Sequence, residues 1–249
     1  MKRTIKLMVV GGTGSGKTHL SSTFPKSMMA ITEPNSEETF LNQPALKKNI
    51  VDYKMFIPTS IDDTLRVFKE LDAYTDLARE RAKKGEIESF ILDNFTYLAE
   101  NRFIYINKYD PVLSVKTGEP DTRGMYGKLG RWLYQFTIMK LLTIPANVIV
   151  TCHERLESDE ALAKKPDKNN PVIASVLGGF RDDMPGMFSG VFYLAKVEKK
   201  QGNNTTYQYL ARTNLGQGKL AKNRWNLPPV IENVSYDTIF SAIKKAETK

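Results

Sequence analysis

The stretch Lys6–Phe24, KLMVVGGTGSGKTHLSSTF, decides the fold. A short apolar run meets a burst of glycines, the burst ends in Gly-Lys-Thr, and a helix-like segment follows. Gly11-Gly12-Thr13-Gly14-Ser15-Gly16-Lys17-Thr18 fits the spacing G-x-x-x-x-G-K-[ST] at every fixed position. Glycines let successive N–H groups turn inward and form an anion nest. The helix that follows directs the positive end of its dipole at the same point. In such a loop Lys17 reaches the β- and γ-phosphate oxygens of a nucleotide, and Thr18 ligates Mg²⁺. The expected cofactor-binding set runs from Gly11 through Thr18 to His19, with a nucleotide and Mg²⁺ as the bound groups. The competing reading is a glycine-rich turn that ends in Lys-Thr by chance; the strand before and the helix after speak against it.

Working outward, short apolar runs alternate with helical patterns. Thr4–Val10, Met28–Thr32, Ser89–Asp93 and Asn147–Thr151 read as strands. Lys17–Phe24, Ile61–Lys83, Phe95–Lys108 and Tyr126–Thr143 read as helices. In the second of these Leu65, Phe68 and Leu71/Ala73 recur at a spacing near 3–4, an amphipathic stripe. This alternation predicts an α/β fold, a mostly parallel sheet flanked by helices. Past Thr151 the texture changes. His153–Pro171 is charged and turn-rich and reads as a loop. Gly190–Glu198 and Thr205–Thr213 read as a hairpin closed by turn residues in Lys199–Asn204. A short helix, Tyr236–Ala246, follows. The expectation is one domain over residues 1–249, a parallel core to about residue 152 and then an antiparallel β extension.

Composition sets the class. Of 249 residues, 41% are hydrophobic and 26% charged, values of a soluble globular protein with a sizeable core. Cys152 is the one cysteine, so no internal disulfide forms, and a reducing cytoplasm fits. No apolar run approaches the ~20 residues that span a bilayer, so no membrane partner is expected. Met1–Thr4 leads straight into a strand-like run, and no signal peptide is visible. The net charge of +8 favours an anionic partner such as nucleic acid, or reflects lysines that only solvate the surface.

A Mg²⁺ site needs a carboxylate near Thr18. Asp93 stands at the carboxyl end of the buried run Phe90-Ile91-Leu92, where ligands sit in open α/β sheets. It is read as the metal partner of Thr18, or as the N-cap of the next helix, and the two roles are compatible. Hydrolysis also needs a group that orients or deprotonates water. Asn94 follows Asp93, so the common adjacent glutamate is absent. Glu33, at the carboxyl end of MMAITEP, is the substitute; the alternative is a surface glutamate before a proline turn. Thr151 and His153 end the NVIVTCHE strand on the same side, and His153 is read as a γ-phosphate sensor or an exposed histidine. Cys152 alternates with them and is expected in the core.

Taken in order, the Walker motif, ITEP, FILDNFTYL, YGKLGRWLYQF, VIVTCHE and AKNRW resemble the phage-encoded RecA-like P-loop ATPases of the Sak type, associated with single-strand annealing, and more broadly the RecA/DnaB core. The resemblance covers roughly Lys6 to Trp225. RecA-like proteins carry a catalytic glutamate after the strand that follows the Walker helix, and Glu33 holds that position. DnaB-like ATPases carry a Lys-x-Arg pair that reaches into a neighbour's nucleotide, and Lys222-Asn223-Arg224 matches it. The resemblance thus implies that Lys222 and Arg224 act in trans in a homo-oligomeric ring or filament; the plain alternative is a basic surface turn. It also implies ATP as substrate, single-stranded DNA as partner, a phage single-strand-binding or replication protein as a further partner, and the bacterial cytoplasm as location.

Two stretches stand where RecA-like proteins carry DNA. Val112–Arg131 holds Lys116, Arg123 and Lys128; Arg155–Arg181 holds Lys164, Lys165, Lys168 and Arg181. Cations on flexible loops suit a phosphate backbone without reading bases. Tyr126, Trp132 or Phe180 could stack on unpaired bases, although Trp132 suits a buried helix face. Two functions follow. One is an ATP-hydrolysing protein acting on single-stranded DNA in phage recombination. The other is a nucleotide-gated module that loads or regulates a partner and has little DNA affinity, supported by the acidic residues of the second stretch. A small-molecule kinase is disfavoured, since the loop after Arg155 lacks an arginine-rich lid.

Overall fold

A computed structural model describes residues 4–156, 172–201, 204–214 and 219–248. The order of elements is β1 (Lys6–Gly11), α1 (Lys17–Ser22), β2 (Ser27–Ile31), α2 (Glu38–Leu41), α3 (Pro44–Lys47), β3 (Ile50–Met55), α4 (Thr64–Lys83), β4 (Ser89–Asp93), α5 (Phe95–Tyr109) and α6 (Thr122–Gln135). A π-helical turn, Phe136–Leu141, continues α6. Then come β5 (Asn147–Leu156), β6 (Val172–Ala174), α7 (Phe180–Met187), β7 (Gly190–Gln201), β8 (Asn204–Arg212), β9 (Lys222–Asn223), β10 (Val230–Glu232) and α8 (Tyr236–Glu247).

One sheet runs in the order β10-β8-β7-β1-β5-β4-β2-β3. β1 is parallel to β5 and β7, β4 to β5 and β2, and β2 to β3. The later strands are antiparallel: β8 to β7 and β10, and β9 to β7. A mostly parallel sheet with antiparallel later strands is as expected, but the parallel core reaches beyond residue 152. β7, read from the sequence as the start of the antiparallel extension, runs parallel to β1, and the antiparallel part begins with β8. β5 inserts between the strand that ends in the glycine burst and the strand that ends in Asp93. Its register places His153 beside Gly11, and that of β2 and β4 places Ile31 beside Asp93. The carboxyl ends of four parallel strands therefore meet at one edge.

The central strands read as unbroken apolar runs because both their faces are covered. Met8, Val10, Met28, Ala30, Phe90, Leu92, Val148, Val150 and Cys152 pack under α4–α7. Leu7, Val9, Met29, Ile31, Ile91 and Ile149 pack on the other face, with Leu20 and Phe24 around α1, and Ile239 and Ile243 of α8. Cys152 is wholly buried, as its alternation with Thr151 and His153 implies. The stripe of α4 differs from the expected one. Leu65 is 41% exposed, Ala73 faces outward, and Val67, Phe68, Leu71, Tyr74 and Ala78 make the contact.

Other boundaries also shift. β5 runs on through His153 and Glu154 because its end pairs with β6, so the charged stretch begins as strand. α6 starts at Thr122, which turns much of the expected loop Val112–Arg131 into helix. β3 is an edge strand with Val51, Tyr53 and Met55 exposed, and it lacks the buried apolar run that marks its neighbours.

Candidate nucleotide site

The glycine burst leaves β1 and enters α1 through backbone that other residues resist. Gly14 and Gly16 hold φ of 74° and 94°, the left-handed region. Gly16 is also closely covered: a Cβ there would lie 2.5 Å from the Tyr209 ring. At Gly11 a Cβ would lie 2.6 Å from Ser15 Oγ and 2.8 Å from the Leu194 carbonyl. The hydroxyl of Ser15 is buried and has no hydrogen-bond partner among the described residues, as expected of a donor kept for a ligand oxygen.

Lys17 is buried and folds back over the loop. Its Nζ donates to the Gly11 and Gly12 carbonyls at 3.0 and 2.9 Å and lies 3.4 Å from His153 Nδ1. Burial pushes its pKa down, against the pull of the Asp93 and Glu33 carboxylates. The next residue points at the metal candidate: Thr18 Oγ1 donates to Asp93 Oδ2 at 2.7 Å. Thr151 Oγ1 donates to the other oxygen, Oδ1. Asp93 is fully buried, and burial raises its carboxyl above the ordinary value despite both hydroxyl bonds. The helix-capping role falls to its neighbour, because Asn94 Oδ1 accepts from Tyr97 N at 3.0 Å.

Glu33 closes the constellation. Its Oε1 lies 3.2 Å from His153 Nε2, and its Oε2 accepts from Asn94 Nδ2. Burial alone would raise this carboxyl. The hydrogen bond from His153, the charges of His153 and Lys17, and the Asn94 bond outweigh it and hold Glu33 below its ordinary value. The backbone N–H of His153 donates to Thr96 Oγ1 at 3.0 Å, which ties the end of β5 to α5. Lys17, Thr18, Glu33, Asp93 and His153 thus form one connected group. Lys17, Thr18, Glu33 and His153 border a cleft of about 350 Å³ that also touches Thr13, Gly14, Gly16 and His19, and Asp93 lies buried beneath it, reached through Thr18.

The donor set suits Mg²⁺. A hydroxyl and a carboxylate are hard oxygen ligands, and Mg²⁺ commonly takes one or two protein oxygens and completes its shell with phosphates and water. Among the described residues no group of three His, Cys, Asp or Glu side chains could hold a metal by itself, and a Mg²⁺–nucleotide site of this kind does not need one.

The remaining candidates lie apart. Lys222 pairs with Val191 and Asn223 with Gly190, which sits beside Leu7 at the far end of β1. That is about 13 Å along the strand from Gly11 at ~3.3 Å per residue. Arg224 donates to the Gly186 carbonyl at 3.2 Å. Burial lowers Lys222, with Arg224 adding to the effect. Neither residue faces its own chain's cleft. Lys116 is exposed in a turn closed by the Leu113–Pro120 bridge. Arg123 is exposed on α6, whereas Lys128 is ion-paired to the Asp110 carboxylate and donates to its carbonyl at 3.1 Å. Arg181 lies on α7, 3.9 Å from Asp182. Lys164, Lys165 and Lys168 fall outside the described residues.

The aromatic rings named as base platforms are spent internally. Tyr126 stacks on Phe103 at 4.5 Å, Trp132 on Phe136 at 5.1 Å, and Phe180 is buried against Phe95. Sequence reasoning missed Asn94 as a support for Glu33, and missed Tyr209 and Lys196, which reach the cleft from the β7–β8 hairpin. It also missed Glu154, whose Oε1 would meet a Cβ on Gly12 at 2.9 Å. The position of Glu154, directly after His153 on a strand expected to end at the site, was the available signal.

Residues 3–225 match the family described as AAA domain (AAA_24), and the chain belongs to that family. Its fold is a mostly parallel sheet flanked by helices, with antiparallel later strands. Among solved structures it resembles a KaiC-like protein of Pyrococcus horikoshii OT3, at 14% identity and a TM-score of 0.38 over 84% of this chain and 79% of that one. It also resembles the type III secretion ATPase EscN of enteropathogenic E. coli, at 20% identity and a TM-score of 0.45, covering 77% of this chain and 43% of that one. A type III secretion ATPase of pathogenic bacteria matches at 17% identity and a TM-score of 0.46, covering 77% of this chain and 51% of that one. The chain spans about half the length of the two secretion ATPases. No curated protein matches it. Among the described residues no helix is long and apolar enough to cross a membrane.

Proposed function

We propose that this member of the AAA domain family is a Mg²⁺-dependent ATPase that acts on single-stranded DNA in phage recombination, in the manner of the Sak-type proteins it resembles. The observation that carries the catalytic half is the convergence of Lys17, the Thr18–Asp93 pair and the Glu33–His153 pair at one strand edge.

Each residue has a task. Lys17 exchanges its two carbonyl partners for β- and γ-phosphate oxygens, and the N–H groups of Gly12–Thr18 hold the same phosphates. Thr18 and Asp93 would hold Mg²⁺, which when bound neutralises charge on the phosphate oxygens. Glu33, kept ionised by His153 and Asn94, orients the attacking water and accepts its proton. His153 touches both Glu33 and Lys17, so it would sense whether a γ-phosphate is present. Lys222 and Arg224, turned away from their own cleft, would serve a neighbour's nucleotide in a ring or filament and stabilise charge on the transferring group. Lys116, Arg123, Arg181 and the lysines at 164, 165 and 168 would meet the DNA backbone. In this reading residues 1–249 act as one unit in the cytoplasm of the bacterial host.

A specific observation favours a second reading. Lys128 is neutralised by Asp110, and Tyr126, Trp132 and Phe180 face inward, which leaves fewer groups for DNA than the sequence offers. A nucleotide-gated module that binds a replication or recombination partner needs no DNA contacts. Fluorescence anisotropy of labelled single-stranded DNA at moderate salt, with and without ATP and Mg²⁺, separates the two. ATP-enhanced binding supports the recombination ATPase. DNA binding undetectable in both states supports the partner module.

A further inference from the structure

We propose that His19 and Tyr209 form a stacking wall for the nucleotide base, so that the antiparallel hairpin favours purine over pyrimidine nucleotides. The proposal rests on the nucleotide reading above and deepens it.

The direction of the ligand sets the argument. Lys17 and Thr18 anchor the phosphates, and the Glu33–His153 pair marks the γ end. The ribose and base must then leave in the other direction along the cleft. The cleft extends past His19 to Tyr209 and Lys196, and also along Asn35, Ser36 and Thr39 beside Glu33; of these two sides only the first offers aromatic faces. Its volume, about 350 Å³, lies in the range of small-molecule sites. The two rings at this end are nearly parallel, with centroids 5.0 Å apart and planes 23° from each other. That spacing leaves no room for a base between them, so a base would lie on their cleft-facing side.

The wall is also held rigidly. Tyr209 lies so close over Gly16 that a Cβ on that glycine would clash at 2.5 Å. It packs against the core formed by Leu20, Leu194 and Ile239 as well. Burial pushes the His19 imidazole below its ordinary pKa and so favours the uncharged ring. Lys196, the cross-strand partner of Tyr209, forms the rim. Stacking grips the face of a base, so it tolerates adenine and guanine alike and gains with ring area. The wall joins α1 to a strand far along the chain, and so the extension completes the site that the parallel core begins.

The test is calorimetric titration of the full chain with ATP, GTP, CTP and inorganic tripolyphosphate, each with Mg²⁺. Wild type should bind ATP and GTP more tightly than CTP. Tyr209→Ala should weaken ATP and GTP roughly tenfold or more, leave tripolyphosphate unchanged and close the gap to CTP. Tyr209→Phe should keep ATP affinity within about twofold, since the π-face survives, and His19→Ala should weaken ATP in the same direction as Tyr209→Ala. Unchanged tripolyphosphate binding shows that the variants retain the cradle. Equal loss of ATP and tripolyphosphate in Tyr209→Ala would overturn the wall and make Tyr209 a support for Gly16. Unchanged ATP affinity in Tyr209→Ala would overturn it too. Absence of both ATP and tripolyphosphate binding in wild type would overturn the nucleotide reading itself.

Discussion

His153 Nε2 lies 3.2 Å from Glu33 Oε1, while the same imidazole's Nδ1 lies 3.4 Å from Lys17 Nζ. One ring thus connects the lysine of the phosphate cradle to the carboxylate best placed to handle water. The contact exists because β5 sits beside β1 in a register that brings His153 to Gly11.

If Glu33 handles the attacking water, Glu33→Gln should leave ATP affinity within a few-fold of wild type and slow hydrolysis by ~10²–10⁴-fold, the usual worth of a general base. Single-turnover hydrolysis alongside equilibrium binding checks this. Unchanged hydrolysis would move the base elsewhere, with Glu154 the next residue to replace.

Asp93 yields a prediction about pH. Burial raises its folded pKa above the unfolded 3.8. Such a carboxyl contributes its full stability below the unfolded pKa and loses it as pH rises through the folded value. Without metal, Asp93→Asn should therefore be more stable than wild type at pH 8, and the difference should shrink as pH falls toward about 4. Thermal unfolding across pH measures it. A wild type more stable than Asp93→Asn at pH 8 would contradict the assignment. With Mg²⁺–ATP present the order should reverse, because the variant loses a metal ligand.

Lys17→Ala should abolish measurable ATP binding. Its two internal hydrogen bonds go to carbonyls at the loop's rim, so far-ultraviolet circular dichroism should stay near wild type while calorimetric binding vanishes. Retained ATP affinity would refute the cradle role of Lys17.

Lys222 and Arg224 lie at the far end of β1 from the cradle. Arg224→Ala should therefore depress ATPase activity only through a neighbour. Mixing Arg224→Ala with Lys17→Ala, each nearly inactive alone, should restore part of the activity, since mixed interfaces pair an intact cradle with an intact arginine. No rescue at any ratio would argue against shared sites.

How much of this was legible in the sequence depends on how far apart the contacts lie. The loop Gly11–Thr18 and the strand ending in Asp93 could be read locally, because glycine spacing and a doubly buried apolar run are each carried by adjacent residues. Their meeting through Thr18 and Thr151 followed only from strand order. Leu65 misled because periodicity marks a stripe but not which of its edges the sheet covers. β3 was missed because an edge strand with one open side keeps no continuous apolar run. The stack of His19 on Tyr209 left no local trace, since α1 and β8 meet only after the sheet closes around β1 and β7. Tyr126 and Phe180 carry the same lesson in reverse: aromatic residues beside cations suggested DNA, and packing claimed them, while Trp132 took the helix-face position its spacing suited.

The most direct test of the central claim is steady-state ATP hydrolysis, with and without single-stranded DNA, over a range of protein concentration. An assembling recombination ATPase with shared sites predicts stimulation by DNA and a specific activity that rises steeply with concentration. A low rate that is flat with concentration and indifferent to DNA would contradict it.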